Sequence, residues 1–398
     1  MRTTRRQLLA GSLAAAGIGT FKPAFAADPI RIGVPTALTG AYADLGNQAK
    51  RGIEFAIAEV NGAGGLLGGR MLEARFLDTE AKPDLARQQG EKLALGGYNL
   101  LMSAINSSEG LAIAGMVDRW NALYISTNHK ADDITGKACN ARVFRVNKPD
   151  AADMTLIRPW LATRPETKWS VLCVDIVAGR NAAANFKAAI TGAGKTVVSE
   201  NYAPLGTNDY APYIQQISGA GAQGVLVVLA GRDGINFVTQ ARQFGLLDKV
   251  VVAGTSFITD NVVKALGDKA KGLWGAINYS STIDLPTNKV FVENWQKKHG
   301  ERPSNYEGDA YVGMQLLIQG LQKAGSDKPL DVAKAMSGTT IKTIVGDQAV
   351  RKADNQLIGP NFFGEVRLVD GAYRPVVTMS LPADQAFPPP DGSCKMSS

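Results

Sequence analysis

The run Leu100–Lys130, LLMSAINSSEGLAIAGMVDRWNALYISTNHK, reads as strand, polar turn, helix and strand. Leu100–Ile105 is an apolar run of strand length. Asn106-Ser107-Ser108 is turn and N-cap chemistry, because short amide and hydroxyl side chains accept from the free N–H groups of a helix's first turn. Leu111, Ile113, Met116 and Trp120 recur at helical spacing. Ala122–Ser126 is the next strand and ends in Thr127-Asn128-His129-Lys130. In a parallel α/β sheet both polar clusters lie at the carboxyl ends of neighbouring strands, where such sheets bind ligands. A helix N-terminus with hydroxyls there suits an anion such as a carboxylate.

The same alternation extends in both directions. Upstream, Ile30–Val34 and Met71–Asp78 read as strands, and Gln48–Asn61 and Pro83–Leu95 as helices. Phe144–Pro149 reads as a crossing segment, after which a second β/α series begins. Its strands are Ser170–Val174, Thr196–Asn201, Gly224–Leu229 and Val250–Ala253. Leu273–Tyr279 reads as a return crossing, followed by helices at Lys289–His299, Glu307–Ala324 and near Leu330–Met336. Phe363–Met379 reads as two strands around an Asp370-Gly371 turn. The fold class is therefore α/β, with parallel, doubly wound sheets in two interleaved units.

Residues 1–26 read as an export signal: Thr4-Arg5-Arg6-Gln7-Leu8-Leu9 is a twin-arginine pattern, Leu8–Phe21 is apolar, and Ala24-Phe25-Ala26 is a cleavage site. The expected location is the periplasm. Loss of Arg2, Arg5, Arg6 and Lys22 lowers the net charge from +7 to +3, which is no nucleic-acid-binding balance. Of three cysteines, Cys173 sits in a strand-like run, while Cys139 and Cys394 sit in loop-like contexts and are expected to pair in an oxidising compartment. No metal-ligand spacing occurs, and no cofactor is expected.

Enzyme motifs fail one by one. Gly192–Thr196 ends like a phosphate loop, but the first glycine would fall on Ala189 and the order is helix–turn–strand. Gly64–Gly69 follows a helix, so it is no dinucleotide fingerprint. Gly254-Thr255-Ser256 lacks the second glycine of a nucleophile elbow. His299 closes a charged helix, and His129, the histidine in a plausible pocket, has no partnered nucleophile in view. The chain is read as no enzyme. An exported, two-unit α/β chain with polar strand ends points to ligand capture between lobes by hinge closure.

The blocks IRIGVPTALTGAYADLGNQAKRGIEFAIAEVNGAGGLLGGR, NSSEG, ALYISTN, VTQARQFGL and NYEGDAYVGMQLLIQGLQKAG, in that order, resemble the periplasmic substrate-binding proteins of branched-chain amino acid ABC transporters. The resemblance covers essentially the whole chain after the signal. It implies the type I periplasmic-binding-protein fold, two Rossmann-like lobes joined by a three-crossing hinge, with the third crossing near Val345–Pro360. Residues 27–146 plus 277–350 would form lobe 1, and 147–276 plus 351–398 lobe 2. It also implies delivery of a small ligand to an inner-membrane ABC permease by a monomer.

Carried over by motif, Ser107 matches the serine that holds the ligand carboxylate, supported by Asn106, and Asn128 a position whose backbone meets the ligand. Lys130 falls where amino-acid binders have a threonine, in the loop with Thr127 and His129. Leu45 and Tyr306 fall where aromatic side chains line the pocket, with Tyr42 nearby. Ala178 replaces a tyrosine of the second lobe, and Ser256 replaces the glutamate that neutralises the ligand's ammonium. Arg180 and Arg232 stand after second-lobe strands and are candidates to clamp a second carboxylate. A buried ammonium without a carboxylate costs several kcal/mol. The missing glutamate and the added lysine therefore suit an organic acid, aromatic or short aliphatic. The alternative is an ordinary amino acid or amide whose ammonium is met by Asp175, Asp233 or Asp260. A ligand sensor and an exported enzyme are the further alternatives.

Overall fold

Strands whose side chains are covered on both faces read as continuous apolar runs, and β1 (Ile30–Thr36) is buried at every position except Arg31. The computed structural model describes residues 28–396, so the twin-arginine pattern and the cleavage site lie outside the described residues. From β1 the chain alternates through α1 (Ala43–Gly62), β2 (Leu72–Asp78), α2 (Pro83–Leu95), β3 (Leu100–Met102), α3 (Ser107–Ala114), β4 (Leu123–Ser126) and β5 (Val143–Arg145). It then passes to a second series: α4 (Asp150–Thr163), β6 (Lys168–Val174), α5 (Val177–Gly192), β7 (Thr196–Ala203), α6 (Ala211–Gly219), β8 (Gly224–Val228), α7 (Arg232–Gln243), β9 (Val251–Thr255), α8 (Asp260–Leu266) and β10 (Trp274–Ile277). It returns for α9 (Pro286–His299), α10 (Asn305–Ala324), α11 (Pro329–Met336), β11 (Thr340–Thr343), β12 (Gly346–Arg351) and β13 (Gln356–Ile358). A last passage adds β14 (Asn361–Val369) and β15 (Ala372–Leu381).

Two sheets result, and they repeat one plan. The first runs β11-β12-β13-β5-β4-β3-β1-β2 and the second β15-β14-β10-β9-β8-β6-β7. Each contains five parallel strands in the same order, joined in the first by β13 as a sixth, with the direction of winding reversing between β1 and β3 and between β6 and β8. Those reversals open a crevice at the strands' carboxyl ends. A glycine marks the start of the following helix in both halves. A Cβ on Gly46 would sit 1.7 Å from the Ala37 carbonyl oxygen, and one on Gly179 1.8 Å from that of Val174. Only a bare backbone lets α1 and α5 begin so close to their strands.

Several boundaries differ from the sequence expectation. The helical spacing through Trp120 is interrupted: α3 stops at Ala114, and Gly115 caps it. Trp120 is nevertheless buried, against Gly90 of α2, so the apolar pattern is real while the helix is not continuous. Phe144 belongs to β5 rather than to a crossing, and Trp274–Ile277 is a strand of the second sheet. The change of lobe set at 350/351 cuts through β12. β13 still pairs with β5, so the third passage lies at 359–360. Three-residue strands such as β13 are too short to show a period. The Asp370-Gly371 turn adopts positive φ at both residues (49° and 76°), as a tight hairpin of right-twisted strands requires.

The three passages are tied together by one buried lysine. Lys148, on the first, donates to the Ile277 carbonyl at 3.0 Å and lies 5.0 Å from the centre of the Phe362 ring on the third. Burial pulls its ammonium down to about 7. Cys139 and Cys394 are joined by a disulfide, Cα–Cα 5.5 Å. It anchors the tail beyond β15 to the first-lobe side, where Arg351 also donates to the Pro388 carbonyl at 2.7 Å. Cys173 is a buried thiol, its pKa raised by that burial.

Candidate functional site

The turn after β3 is held in a conformation few side chains adopt. Ser103 and Ala104 have φ of 78° and 62°, and such strain clusters where the surrounding structure imposes a geometry. It delivers the chain to Asn106, the N-cap of α3. The Asn106 Oδ1 accepts from the Glu109 N–H at 3.1 Å, and Glu109 Oε2 accepts from the Asn106 N–H at 2.9 Å, a reciprocal capping box. Thr79 donates to the other Glu109 oxygen. With Glu109 N–H capped, the backbone N–H groups of Ser107 and Ser108 are the ones α3 leaves without an intrahelical acceptor. The Ser107 hydroxyl accepts from the Ala131 N–H at 3.1 Å, which leaves its own proton to donate.

Ser107 faces a narrow cavity between the lobes, with about 40 Å³ of free volume. The first lobe contributes Tyr42 and Leu45 after β1, Ile105 to Ser107 after β3, Asn128 and Lys130 after β4, and Tyr306 at the start of α10. Asn128 is 7% exposed, and its Oδ1 has no hydrogen-bond partner. The second lobe contributes Val174 at the end of β6 and Ile176 after it, Ala178 of α5, Val228 and Ala230 around the end of β8, and Ser256 after β9. Ser256 also has positive φ, 53°. Across the mouth the lobes touch: a Cβ on Gly231 would meet the Leu45 side chain at 3.3 Å. The polar floor comes from one lobe and a wall of aliphatic side chains from the other.

Lys130 is not the uncompensated cation the sequence suggests. Its ammonium lies 2.8 Å from Asp153 Oδ2, with both side chains buried, and donates to Asn278 Oδ1 at 3.3 Å. One carboxyl does line the cavity, Asp150 at the start of α4. It is 1% exposed, and its Oδ2 accepts from Asn181 at 3.0 Å. Burial pushes it well above the usual carboxylate range, against the pull of Lys130. Asp175 and Asp233 do not line the cavity, and Asp260 lines a separate open groove with Arg302 and Arg374.

Four residues chosen from sequence stand elsewhere. Thr127 turns into the first-lobe core against Gly313. His129 is fully buried beneath α3, where its ring fills the space a side chain on Gly110 would take, and its Nδ1 shares a 2.7 Å hydrogen bond with Ser126. Asn128 and Lys130 reach the cavity while Thr127 and His129 turn away from it. Arg232 is exposed, 3.8 Å from Asp44 across the mouth. Arg180 is likewise exposed, paired with Asp175 and stacked on Tyr202. Ile105, Asp150, Val174, Ile176, Val228 and Ala230 were missed. The signal for most of them was their place one or two residues around a strand end.

The buried imidazole of His129 titrates at about 3, because burial disfavours its charged form. Between that value and the ordinary 6.5 the unfolded chain binds the extra proton, so stability falls as pH drops through this window. From pH 7 to pH 5 the loss from this group is about 2 kcal/mol. Urea unfolding at both pH values checks this: His129→Gln should lose correspondingly less than the native chain, and equal losses would refute the assignment.

The description "Periplasmic binding protein" belongs to the family model that matches residues 29–372. Leu/Ile/Val-binding protein homolog 8 of Brucella abortus (strain 2308) is 26% identical over 356 residues, covering 84% of this chain and 86% of its own. Among solved structures, a solute binding protein of an ABC transporter from Rhodopseudomonas palustris BisB5, in complex with 3,4-dihydroxy benzoic acid, superposes with a TM-score of 0.83 at 24% identity, covering 89% of this chain and 97% of that one. An amino acid ABC transporter substrate-binding protein from Pseudomonas fluorescens Pf-5 superposes with a TM-score of 0.82 at 24% identity, covering 93% and 99%.

Proposed function

The chain belongs to the periplasmic binding protein family, and on that premise we propose that it captures a small carboxylic acid with an apolar, preferably aromatic, body between its lobes. It delivers the acid to an ABC permease in the inner membrane, works in the periplasm and performs no chemistry of its own. The observation that carries the choice of ligand is the wall opposite Ser107. It is Val174, Ile176, Ala178, Val228 and Ala230, with Ser256 as its one hydroxyl and Asp150 as its one carboxyl. A ligand ammonium against the aliphatic part of that wall, out of reach of Asp150, would be desolvated without a partner, at a cost of several kcal/mol. A benzoate-like ring would meet aliphatic side chains there, with Tyr42 and Tyr306 on its other side.

On the opposite side, the Ser107 hydroxyl and the first N–H groups of α3 provide donors and a favourable dipole for a carboxylate. The relative complexed with 3,4-dihydroxy benzoic acid supports this reading. The Leu/Ile/Val-binding relatives support a second one, in which Asp150 meets the ammonium of an amino acid. A thermal-shift panel separates them. Benzoate and 3,4-dihydroxybenzoate are expected to raise the melting temperature and leucine to leave it unchanged. The reverse pattern would establish the amino-acid reading instead.

A further inference from the structure

Asp150 sits where a carboxylic-acid ligand creates an electrostatic problem. Its side chain lines the same cavity as Ser107 and Lys130, and it belongs to the second lobe, so closure brings it to the ligand. Its Oδ2 is occupied by Asn181, and its backbone N–H is given to the Lys130 carbonyl at 2.8 Å. That leaves Oδ1 for the ligand. The adjacent cation is already spent: Lys130 faces Asp153 at 2.8 Å. An ionised ligand carboxylate would therefore meet an ionised Asp150 with no counter-charge to spare, and two carboxylates sharing a site do not both ionise.

We infer that Asp150 is protonated in the ligand-bound state and donates a hydrogen bond from its carboxyl to the ligand's carboxylate, which makes it a specificity-determining residue. This rests on the carboxylic-acid reading above. The proton stays on Asp150 Oδ1 and is shared with a ligand oxygen. Where the carboxyl is ionised before binding, one proton is taken from solvent. The groups facing Asp150 come from each element packed on it: Lys130 and Asp132 from the loop after β4, Asp153 from its own helix and Asn181 from α5, with Arg145 of β5 and Cys173 of β6 beyond them. Burial outweighs the attraction of Lys130, and Asp132 and Asp153 add to the effect of burial, so the environment itself favours the neutral form. The device also selects. A ligand without an anionic oxygen at this point receives no hydrogen bond from the proton.

Titration calorimetry with benzoate, from about pH 6 to about pH 9, tests it, since benzoate stays ionised throughout that range. For the native protein the Kd should rise once the pH passes the point at which the Asp150 carboxyl loses its proton. The share of any rise that belongs to Asp150, rather than to Lys148 with its pKa of about 7, is the share that the Asp150→Asn variant loses. Proton uptake there should show as a dependence on the buffer's ionisation heat. Asp150→Asn supplies a permanent N–H donor, so its Kd should lack that share of the rise. Asp150→Ala, with no donor, should bind at least about tenfold more weakly than Asp150→Asn. An Asn variant that binds no better than the Ala variant overturns the inference, while benzoate binding itself leaves the ligand reading standing. Binding of leucine with no binding of benzoate overturns both.

Discussion

Replacing Lys130 with alanine is expected to destabilise the chain by about 3–5 kcal/mol and to abolish capture of a carboxylic acid. The ammonium contributes through its attachment more than through its charge on the ligand. It reaches from the first lobe to Asp153 in the first turn of α4, in the second lobe, and its Nζ also touches Asn278 beside the second passage. Asp153 has a fully buried side chain. Removing one member of a buried pair leaves an uncompensated charge, which costs far more than the pair contributes when whole. The double variant Lys130→Ala with Asp153→Asn should therefore recover much of the stability, because no orphan carboxylate remains, yet it should not recover binding. Denaturant midpoints of the native, single and double variants measure this. A single variant that loses less than about 1 kcal/mol would mean that Lys130 stands free of Asp153, as the sequence suggests.

The distance between those two pictures of Lys130 marks what the sequence could carry. The run from Leu100 to Lys130 placed the end of β4, the capped start of α3 and a polar loop, because capping chemistry and strand periodicity are local, while β3 stops at Met102 rather than Ile105. Asn106 and Ser107 follow from that alone. Asn128 and Lys130 line the cavity while Thr127 and His129 do not. Nothing in the four residues says which pair faces inward. Partners distant in sequence were out of reach: Asp153 and Asp150 become neighbours of Lys130 only after the first passage folds α4 beneath the cavity. The aliphatic wall was hidden for a different reason. Val174, Ile176 and Val228 have the composition of core strands, and their position at a winding reversal, not their type, opens them to a ligand. The third passage at 359–360 falls at the end of the expected Val345–Pro360 stretch, while the lobe boundary at 350/351 came too early because β13 is three residues long and pairs far away, with Arg145.

Ser107→Asp is expected to weaken binding of any carboxylic acid by at least a thousandfold, about 4 kcal/mol, while leaving the fold intact. Ser107 is the first residue of α3, after the Asn106 cap. An aspartate in a first turn is favourable there, worth a few tenths to about 1 kcal/mol against the helix dipole. Its carboxylate can also keep the hydrogen bond that Ala131 N–H now gives to the Ser107 hydroxyl. The side chain is 1% exposed and borders the cavity, so the new carboxylate enters the space where the proposed ligand's carboxylate would sit. It satisfies the same N–H groups and repels an incoming anion at close range. The variant thus carries its own inhibitor in covalent form, and the lobes should close on it without ligand. Ser107→Ala separates loss of the hydroxyl from occupation of the site. It removes one hydrogen bond to a charged group, worth about 1.5–3 kcal/mol, and should weaken binding about ten- to a hundredfold. Calorimetry with benzoate, beside a melting curve for each variant, reads both effects. If Ser107→Asp binds benzoate as the native protein does, the start of α3 is not where the carboxylate sits. The anchor would then have to be sought at Asn128 and Lys130.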